Sequence, residues 1–290
     1  MKYIGVFTYS QVLEKLLTRK EILRQVASGE LRKLGHDRYA DKFADSAVCD
    51  VVSKGHAVSC LTALRAHGVW VPATTAEVHA RGNADAYRKA NNLCRMYRPP
   101  LPTPDPVDSV PIAFQHAVRC LDREDLVAVC DSIGNKKLMA LEEMRTAMSG
   151  APQRKIALLD LCNFHSQSGT ESMVRYRLEK RRISLNAQVQ VSTVGRVDLL
   201  VGDCLILEID SEEYHRTAEQ YETDRRRDRK ATRLGYLTVR LTYKMVTADW
   251  ADAEEDILAI VRERRHNWPR PRDQSKTAIR RRTARAPVRE

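Results

Sequence analysis

Three acidic residues stand in short apolar stretches of the second half of the chain, where β-strands normally carry apolar side chains. Asp198 opens the run Asp-Leu-Leu-Val, and Glu208 and Asp210 end the run Leu-Ile-Leu-Glu-Ile-Asp. Because side chains alternate along a strand, Glu208 and Asp210 share one face. Two like charges about 4 Å apart repel by roughly 4 kcal/mol at an effective dielectric near ~20. A divalent cation removes that penalty, and Mg²⁺ or Mn²⁺ takes such hard oxygen ligands.

A cation on these carboxylates points to phosphate-ester chemistry. Held by Asp198, Glu208 and Asp210, it could position a phosphodiester, lower the pKa of an attacking water and stabilise the leaving oxygen. His215, which follows Asp210 closely in the sequence, is a candidate proton carrier or phosphate contact. The alternative is that Asp198 caps a strand end while the other two acids pair with Arg196 or with arginines of the next helix.

The turn between the two apolar runs decides whether the acids can meet. Gly202-Asp203 is a hairpin signal. A two-residue turn there would place Asp198 opposite Leu207, whereas a three-residue connection places it opposite Glu208. We therefore predict the longer connection or a β-bulge.

The elements around these runs predict a mixed α/β unit with a central sheet flanked by helices. A helix opened by Glu171 precedes three strands, and a charged helix follows over 217–234 with Gly235 at its C-cap. A further strand covers 237–241, and a last helix covers 250–262. The order α-β-β-β-α-β-α is that of a mixed domain built on one sheet.

Sequence motifs in this half also resemble a known family. They are Gly169-Thr-Glu-Ser-Met-Val-Arg-Tyr-Arg-Leu, Gly195-Arg-Val-Asp-Leu-Leu-Val-Gly-Asp, Leu207-Glu-Ile-Asp, Tyr214-His215, Asp224-Arg-Arg-Arg-Asp228 and Leu234-Gly-Tyr. Together they resemble the very-short-patch-repair-like endonuclease domains of the PD-(D/E)XK nuclease superfamily. The resemblance implies a restriction-endonuclease-like domain with a central mixed sheet and metal-dependent phosphodiester cleavage.

The resemblance also implies roles for single residues. Asp198 and Glu208 fall on the metal-binding carboxylates, Glu171 on the acid of the first helix, and His215 on the histidine after the strand. Asp210 stands where the superfamily usually has a catalytic lysine, although this subgroup commonly shows Glu-x-Asp. Ser211 stands where the subgroup usually has glycine, and this is a second departure from the family pattern.

Basic side chains mark two candidate DNA contacts. The charged helix carries Arg225, Arg226 and Arg229 between Asp224 and Asp228, two further positions that match the family motif. We expect these arginines to hold phosphate, although such a run is also typical of a solvated helix face with i,i+4 ion pairs. The second set lies on the basic side of residues 1–40 and comprises Lys20, Arg24, Arg32, Lys33 and Arg38.

Residues 1–40 have the pattern of a winged helix-turn-helix. Thr18 and Glu21 fit a capping box, and Leu31, Leu34 and Tyr39 suit a two-stranded wing. The alternative is a small helical cap on a larger domain. The pieces Leu17-Thr-Arg-Lys-Glu, Gly29-Glu-Leu, Arg38-Tyr-Ala, Val58-Ser-Cys-Leu-Thr-Ala and His67-Gly68 resemble the winged-helix domain of AbiEi-type antitoxins. That resemblance implies DNA binding ahead of the nuclease-like domain.

The remaining organisation follows from composition and charge. The 290 residues carry 49 Lys or Arg against 38 Asp or Glu, a net charge of +11, and the last 29 residues alone hold eleven basic and three acidic side chains. Six of the eleven prolines fall between 99 and 111 and predict an extended connector. The predicted units are a winged helix at 1–40, a helical extension at 41–98, the connector at 99–111, a helical subdomain at 112–164, the nuclease-like domain at 165–264 and a basic disordered tail at 265–290.

Cysteines and histidines give no local metal motif. Seven cysteines are scattered without a Cys-x-x-Cys pair, so we expect reduced, mostly buried thiols rather than disulfides or a zinc knuckle. His56, His67, His79 and His116 lack ligand spacing and are interpreted as ordinary side chains.

With no apolar run of membrane-spanning length and no export signal, we expect a cytoplasmic protein.

Two functions remain open from the sequence. The first is a Mg²⁺- or Mn²⁺-dependent endonuclease or nickase acting on duplex DNA, which a homodimer would suit if both strands are cut. The second is a non-catalytic DNA-binding regulator, antitoxin-like, with a degenerate nuclease fold, which the missing lysine and Ser211 favour. RNA cleavage ranks last, because no aromatic RNA-binding strand is evident.

Overall fold

The computed structural model describes residues 4–16, 18–35, 37–73, 77–210 and 218–269. These residues form helices and three separate β-sheets. The largest sheet has four strands and contains both parallel and antiparallel pairs. The N-terminal elements are β1 (Val6–Thr8), α1 (Tyr9–Leu16), α2 (Arg19–Ala27), β2 (Leu31–Gly35), β3 (Arg38–Asp41), α3 (Ser46–Ser53), β4 (Ala57–Val58), α4 (Cys60–Ala66), β5 (Ala80–Arg81) and α5 (Ala84–Lys89). The helices that follow are α6 (Val110–Cys120), α7 (Arg123–Asn135), α8 (Leu141–Ala147) and α9 (Gln153–Ile156), with a 3₁₀ turn at Ala157–Leu161.

The second half has the element order expected from the sequence, with one extra short helix. Its elements are α10 (Gly169–Lys180), β6 (Leu185–Val191), β7 (Gly195–Val201), β8 (Leu205–Ile209), α11 (Ala218–Arg233), β9 (Leu237–Leu241), α12 (Tyr243–Thr247) and α13 (Trp250–Arg262). The sheet order is β6-β7-β8-β9, antiparallel except for the parallel pair β8–β9. Gly235, at φ +86°, ends α11 as predicted.

The connection between β7 and β8 is three residues long, as predicted. Leu199 pairs with Leu207 and Val201 with Leu205, so residues 202–204 form the turn. Continued by one residue, the same register places Asp198 opposite Glu208. The two carboxylates therefore share one face of the sheet.

The N-terminal helices and strands form a small unit around β1, β3 and β2. Thr18 Oγ1 accepts the Glu21 amide, but the Glu21 carboxylate pairs with Arg24, so only half of the predicted capping box forms. Arg38, expected on the basic surface, is instead buried and donates to the carbonyls of His56 and Thr103. Its guanidinium therefore supports the fold.

The residues on both sides of the proline-rich stretch share one hydrophobic core. This core extends from Val6 to Tyr176 and includes the fully buried Phe114 and Met144. The region expected to be purely helical also contains the short pair β4–β5. The proline-rich stretch packs against it, because the buried Arg81 donates to both oxygens of Asp108.

Helix α10 is anchored to α7 by buried charges. Arg175 pairs with Asp131 at 2.9 Å, and both side chains are nearly inaccessible to solvent. Two residues on, Arg177 binds the Glu124 carboxylate through two nitrogens and donates to the Val246 carbonyl. Such paired and hydrogen-bonded charges fix one orientation of α10, the helix that begins two residues before Glu171.

Gly169 at the start of α10 lies against the ring of Trp70, and we expect Gly169→Ala to destabilise the protein. A Cβ at this position would lie 1.9 Å from Trp70 Cδ2, so either the ring or the helix must move. The expected loss of unfolding free energy is about 1–3 kcal/mol, the usual cost of overpacking. Urea unfolding measures it. Gly35→Ala is the control, since its nearest atom would be 3.8 Å away; equal losses would contradict the prediction.

The chain beyond α13 returns to the sheet. The His266 carbonyl accepts hydrogen bonds from the Asp203 and Cys204 amides, and Trp268 meets Tyr236 edge-on with ring centroids 5.2 Å apart. The sequence predicted a disordered tail at 265–290. Residues 265–269 are instead ordered against the sheet, and residues 270–290 lie outside the described residues. Among the described residues, no helix has the length and apolar character needed to cross a membrane.

Candidate active site

Three acidic side chains from separate elements converge beside the four-stranded sheet. Asp198 comes from β7, Glu208 from β8 and Glu171 from the first turn of α10. We call Glu171, Asp198 and Glu208 the carboxylate cluster. Asp198 Oδ2 accepts the Ile209 amide at 2.8 Å, which fixes this carboxylate across the two strands. The structure thus brings together three of the acids that the sequence analysis named.

Local hydrogen bonds hold Glu171 in place. Ser168 caps α10 by accepting the Glu171 amide, and Glu171 Oε2 accepts the Gln167 amide at 2.9 Å. The residue is only 4% exposed, so its carboxyl group is almost wholly removed from water. Removal from water disfavours the charged form of this carboxyl group, and the hydrogen bonds that it accepts offset only part of that cost.

Gln188 completes the cluster and was not identified from the sequence. Its Nε2 lies 2.8 Å from Glu171 Oε2 and 3.4 Å from Asp198 Oδ1. Its backbone φ is +54°, a left-handed conformation within β6, between residues that pair regularly with β7. Its buried Oε1 has no hydrogen-bond partner among the described residues. Strain of this kind is typical of functional sites, and an unpaired buried oxygen is a further potential ligand.

Burial and mutual repulsion raise the pKa values of the acids in the cluster. Desolvation, followed by the charge of Asp198, raises the pKa of Glu171 to about 7. Desolvation and the Asp198 charge also raise the pKa of Glu208 to about 7, although the Arg227 charge opposes this. Desolvation likewise raises the pKa of Asp198. Buried carboxyl groups that raise one another's pKa values are the arrangement that a divalent cation stabilises.

Arg227, on α11, is the arginine of that helix that contacts the cluster. Its Nη2 lies 3.3 Å from Glu208 Oε1, and its Nε donates to the Val194 carbonyl. Arg225, Arg226 and Arg229, the residues chosen from the sequence, are exposed on the same helix. They share α11 with Arg227, and no contact joins them to the carboxylate cluster among the described residues.

Asp210 lies at the end of β8, near Arg240. Arg240 Nη1 is 3.9 Å from Asp210 Oδ1, and its Nη2 donates to Asp228 at 2.7 Å. Asp210 thus adjoins a network of opposite charges next to the carboxylate cluster. His215 and Ser211 lie outside the described residues.

The basic residues expected to bind DNA through the N-terminal unit are at the surface. Lys20, Arg24, Arg32 and Lys33 are all exposed, and Arg24 is paired with Glu21. Lys20 and Arg24 come from α2, whereas Arg32 and Lys33 come from β2. A helix and a neighbouring hairpin therefore both present cations to solvent.

A second cluster of side chains differs from the sequence-based expectation. Three thiols and one imidazole, expected to be ordinary side chains, place one ligand atom each within 4.8 Å of all the others. We call Cys60, His79, Cys94 and Cys120 the thiol–imidazole cluster. Its consecutive members are 15 to 26 positions apart in sequence, so no local motif could reveal it. The spacing rules of zinc knuckles apply only when ligands share a short loop.

Comparison with known proteins adds no relative. No protein-family model, no curated protein and no solved structure matches the chain.

The raised pKa of Glu171 predicts that the metal-free protein loses stability as the pH rises. The folded state holds this proton more tightly than the unfolded state, so the stabilisation is complete below pH 4.5 and is lost as pH rises through about 7. The loss approaches about 3 kcal/mol for this residue. Thermal unfolding in EDTA should show the fall, and Glu171→Gln should reduce it. A pH response identical in the variant would contradict the assignment.

Proposed function

We propose that this protein is a metal-dependent endonuclease or nickase that hydrolyses phosphodiester bonds in duplex DNA. The observation that carries the proposal is the carboxylate cluster, in which the buried Glu171 and the half-buried Asp198 and Glu208 have raised pKa values beside the unpaired Oε1 of Gln188. These are hard oxygen donors, and they fit Mg²⁺ or Mn²⁺. The resemblance of the second half to very-short-patch-repair-like domains, with a restriction-endonuclease-like arrangement, supports the same conclusion.

The residues of the site would have separate roles in metal binding and proton transfer. Asp198 and Glu208 would hold the cation, with Asp210 as a further candidate ligand. When bound, the cation would polarise the phosphate and supply an activated water. Glu171, with a pKa of about 7, can carry a proton at neutral pH while Gln167 and Gln188 orient its Oε2. His215 remains a candidate proton carrier.

DNA would be held by the exposed cations. Arg225, Arg226 and Arg229 lie on the helix that contributes Arg227 to the carboxylate cluster. Lys20, Arg24, Arg32 and Lys33 belong to the unit that we interpret as a winged helix. Phosphate contacts of this kind position a protein on DNA without reading sequence. Cleavage in the cytoplasm, by a monomer or a homodimer, is the setting that we propose.

A second candidate function is a non-catalytic DNA-binding regulator. The observation that favours it is Asp210, which stands in the usual lysine position and lies 3.9 Å from Arg240. Under this alternative, the exposed cations would bind duplex DNA and the carboxylate cluster would turn over no substrate.

One experiment separates the two functions. The full chain is first bound to end-labelled duplex DNA in EDTA, and Mg²⁺ or Mn²⁺ is then added to the preformed complex. The nuclease proposal predicts that strands are broken only after the metal is added. Stable complexes with intact strands under both metals would overturn it in favour of the regulator.

A further inference from the structure

We propose that the thiol–imidazole cluster binds a structural zinc ion. The four donors come from four different parts of the N-terminal half, and their ligand atoms all lie within 4.8 Å of one another. In a tetrahedral site with Zn–S bonds of about 2.3 Å, neighbouring sulfur atoms are about 3.8 Å apart. Cys94 Sγ and His79 Nδ1 already lie 3.3 Å apart, close to that requirement.

The chemistry of the donors selects zinc. Three thiols and an imidazole make a Cys₃His set, one of the standard closed sets of structural zinc. Soft thiolate donors in tetrahedral geometry exclude Mg²⁺ and Ca²⁺, which take oxygen ligands. This site is therefore chemically distinct from the carboxylate cluster, and the inference does not depend on the proposed nuclease activity.

The backbone around the donors is fixed by hydrogen bonds. The His79 carbonyl accepts the Ser59 amide, next to Cys60, and the Cys94 amide donates to the Ala80 carbonyl. The Cys94 carbonyl accepts two further bonds, from the Tyr87 hydroxyl at 2.7 Å and from His116 Nδ1 at 3.0 Å. Hydrogen bonds around the ligands orient them in many metal sites.

Burial and access suit a metal site. Cys60 is fully buried at the first position of α4, where its φ of +50° is rare for a residue with a side chain. Cys120, the last residue of α6, is exposed and leaves an entry path. A zinc ion here would join α4, the start of β5, the segment after α5 and the end of α6. It would thereby stabilise the N-terminal half in the folded state.

Metal content and thiol chemistry test the proposal on the purified full chain. We expect about one zinc ion per chain after dialysis without chelator, and seven free thiols in the denatured, unreduced protein. Cobalt exchanged for zinc should give the thiolate-to-metal absorption of a tetrahedral site. Cys120→Ser, at the exposed position, and Cys94→Ser should both lose zinc and unfold at a lower temperature.

Two control variants separate this site from other sources of zinc. Cys162→Ser removes a thiol outside the cluster, and Glu208→Gln removes a carboxylate from the other site; both should keep the zinc. Because Cys94→Ser could fail to fold, release of zinc from the wild-type chain by a thiol-modifying mercurial provides a second measurement. Absence of zinc and of a cobalt–thiolate band, or only five free thiols, would overturn the proposal.

Discussion

Asp198→Asn should lower the rate of metal-dependent DNA cleavage by on the order of 10³-fold. The variant keeps the shape of the side chain and can still accept the Ile209 amide hydrogen bond that the native carboxylate makes at 2.8 Å. It removes one negative charge from the carboxylate cluster. Charge stabilisation by a bound cation is worth several kcal/mol, and each ~1.4 kcal/mol changes a rate about tenfold. Single-turnover cleavage of a labelled duplex measures the loss.

A matched control is available on α13. Asp252 is exposed in the first turn of α13, a helix that contributes no residue to the carboxylate cluster, and Asp252→Asn makes the same change of charge there. It should retain the wild-type rate. Cleavage by Asp198→Asn at the wild-type rate would show that the metal, if it acts, lies elsewhere.

Arg81→Met should strongly destabilise the folded protein. Arg81 and Asp108 are 1% and 2% exposed, and Arg81 also donates to the carbonyls of Leu101 and Pro102. Removing the cation leaves a buried carboxylate without its partner, at an expected cost of about 3–5 kcal/mol. Urea unfolding at neutral pH measures the difference.

The control for that change is an arginine in an exposed pair. Arg88 pairs with Asp85 at the surface, where its side chain is 76% exposed. Arg88→Met should change the free energy of unfolding by no more than about 0.5 kcal/mol. Similar losses for the two variants would mean that the buried pair does not secure the proline-rich stretch.

The order of the elements and the pairing of Asp198 with Glu208 could be predicted because they follow from local rules. Strand periodicity located β7 and β8, and the requirement that Asp198 meet Glu208 specified a three-residue turn. The glycine after α11 marked its end through a positive φ. These features depend on residues that are near neighbours in sequence.

Contacts between residues that are distant in sequence could not be predicted by such local rules. Arg38 looked like one more surface cation, yet it is buried because the carbonyls of His56 and Thr103 lie close in space. Gln188 stands in an ordinary strand pattern, and only the register with β7 brings it to Asp198. Arg227 differs from its exposed neighbours only by the direction in which it projects from α11.

The central claim is that metal bound by the carboxylate cluster cuts DNA. Its most direct test incubates supercoiled plasmid with the wild-type protein and with Glu208→Gln, each with Mg²⁺, with Mn²⁺ and with EDTA. Glu255→Gln, an exposed change on α13, is the control. We predict nicked or linear plasmid only when metal and Glu208 are both present. Intact plasmid with the wild-type protein in every condition, or equal cleavage by Glu208→Gln, would contradict the account.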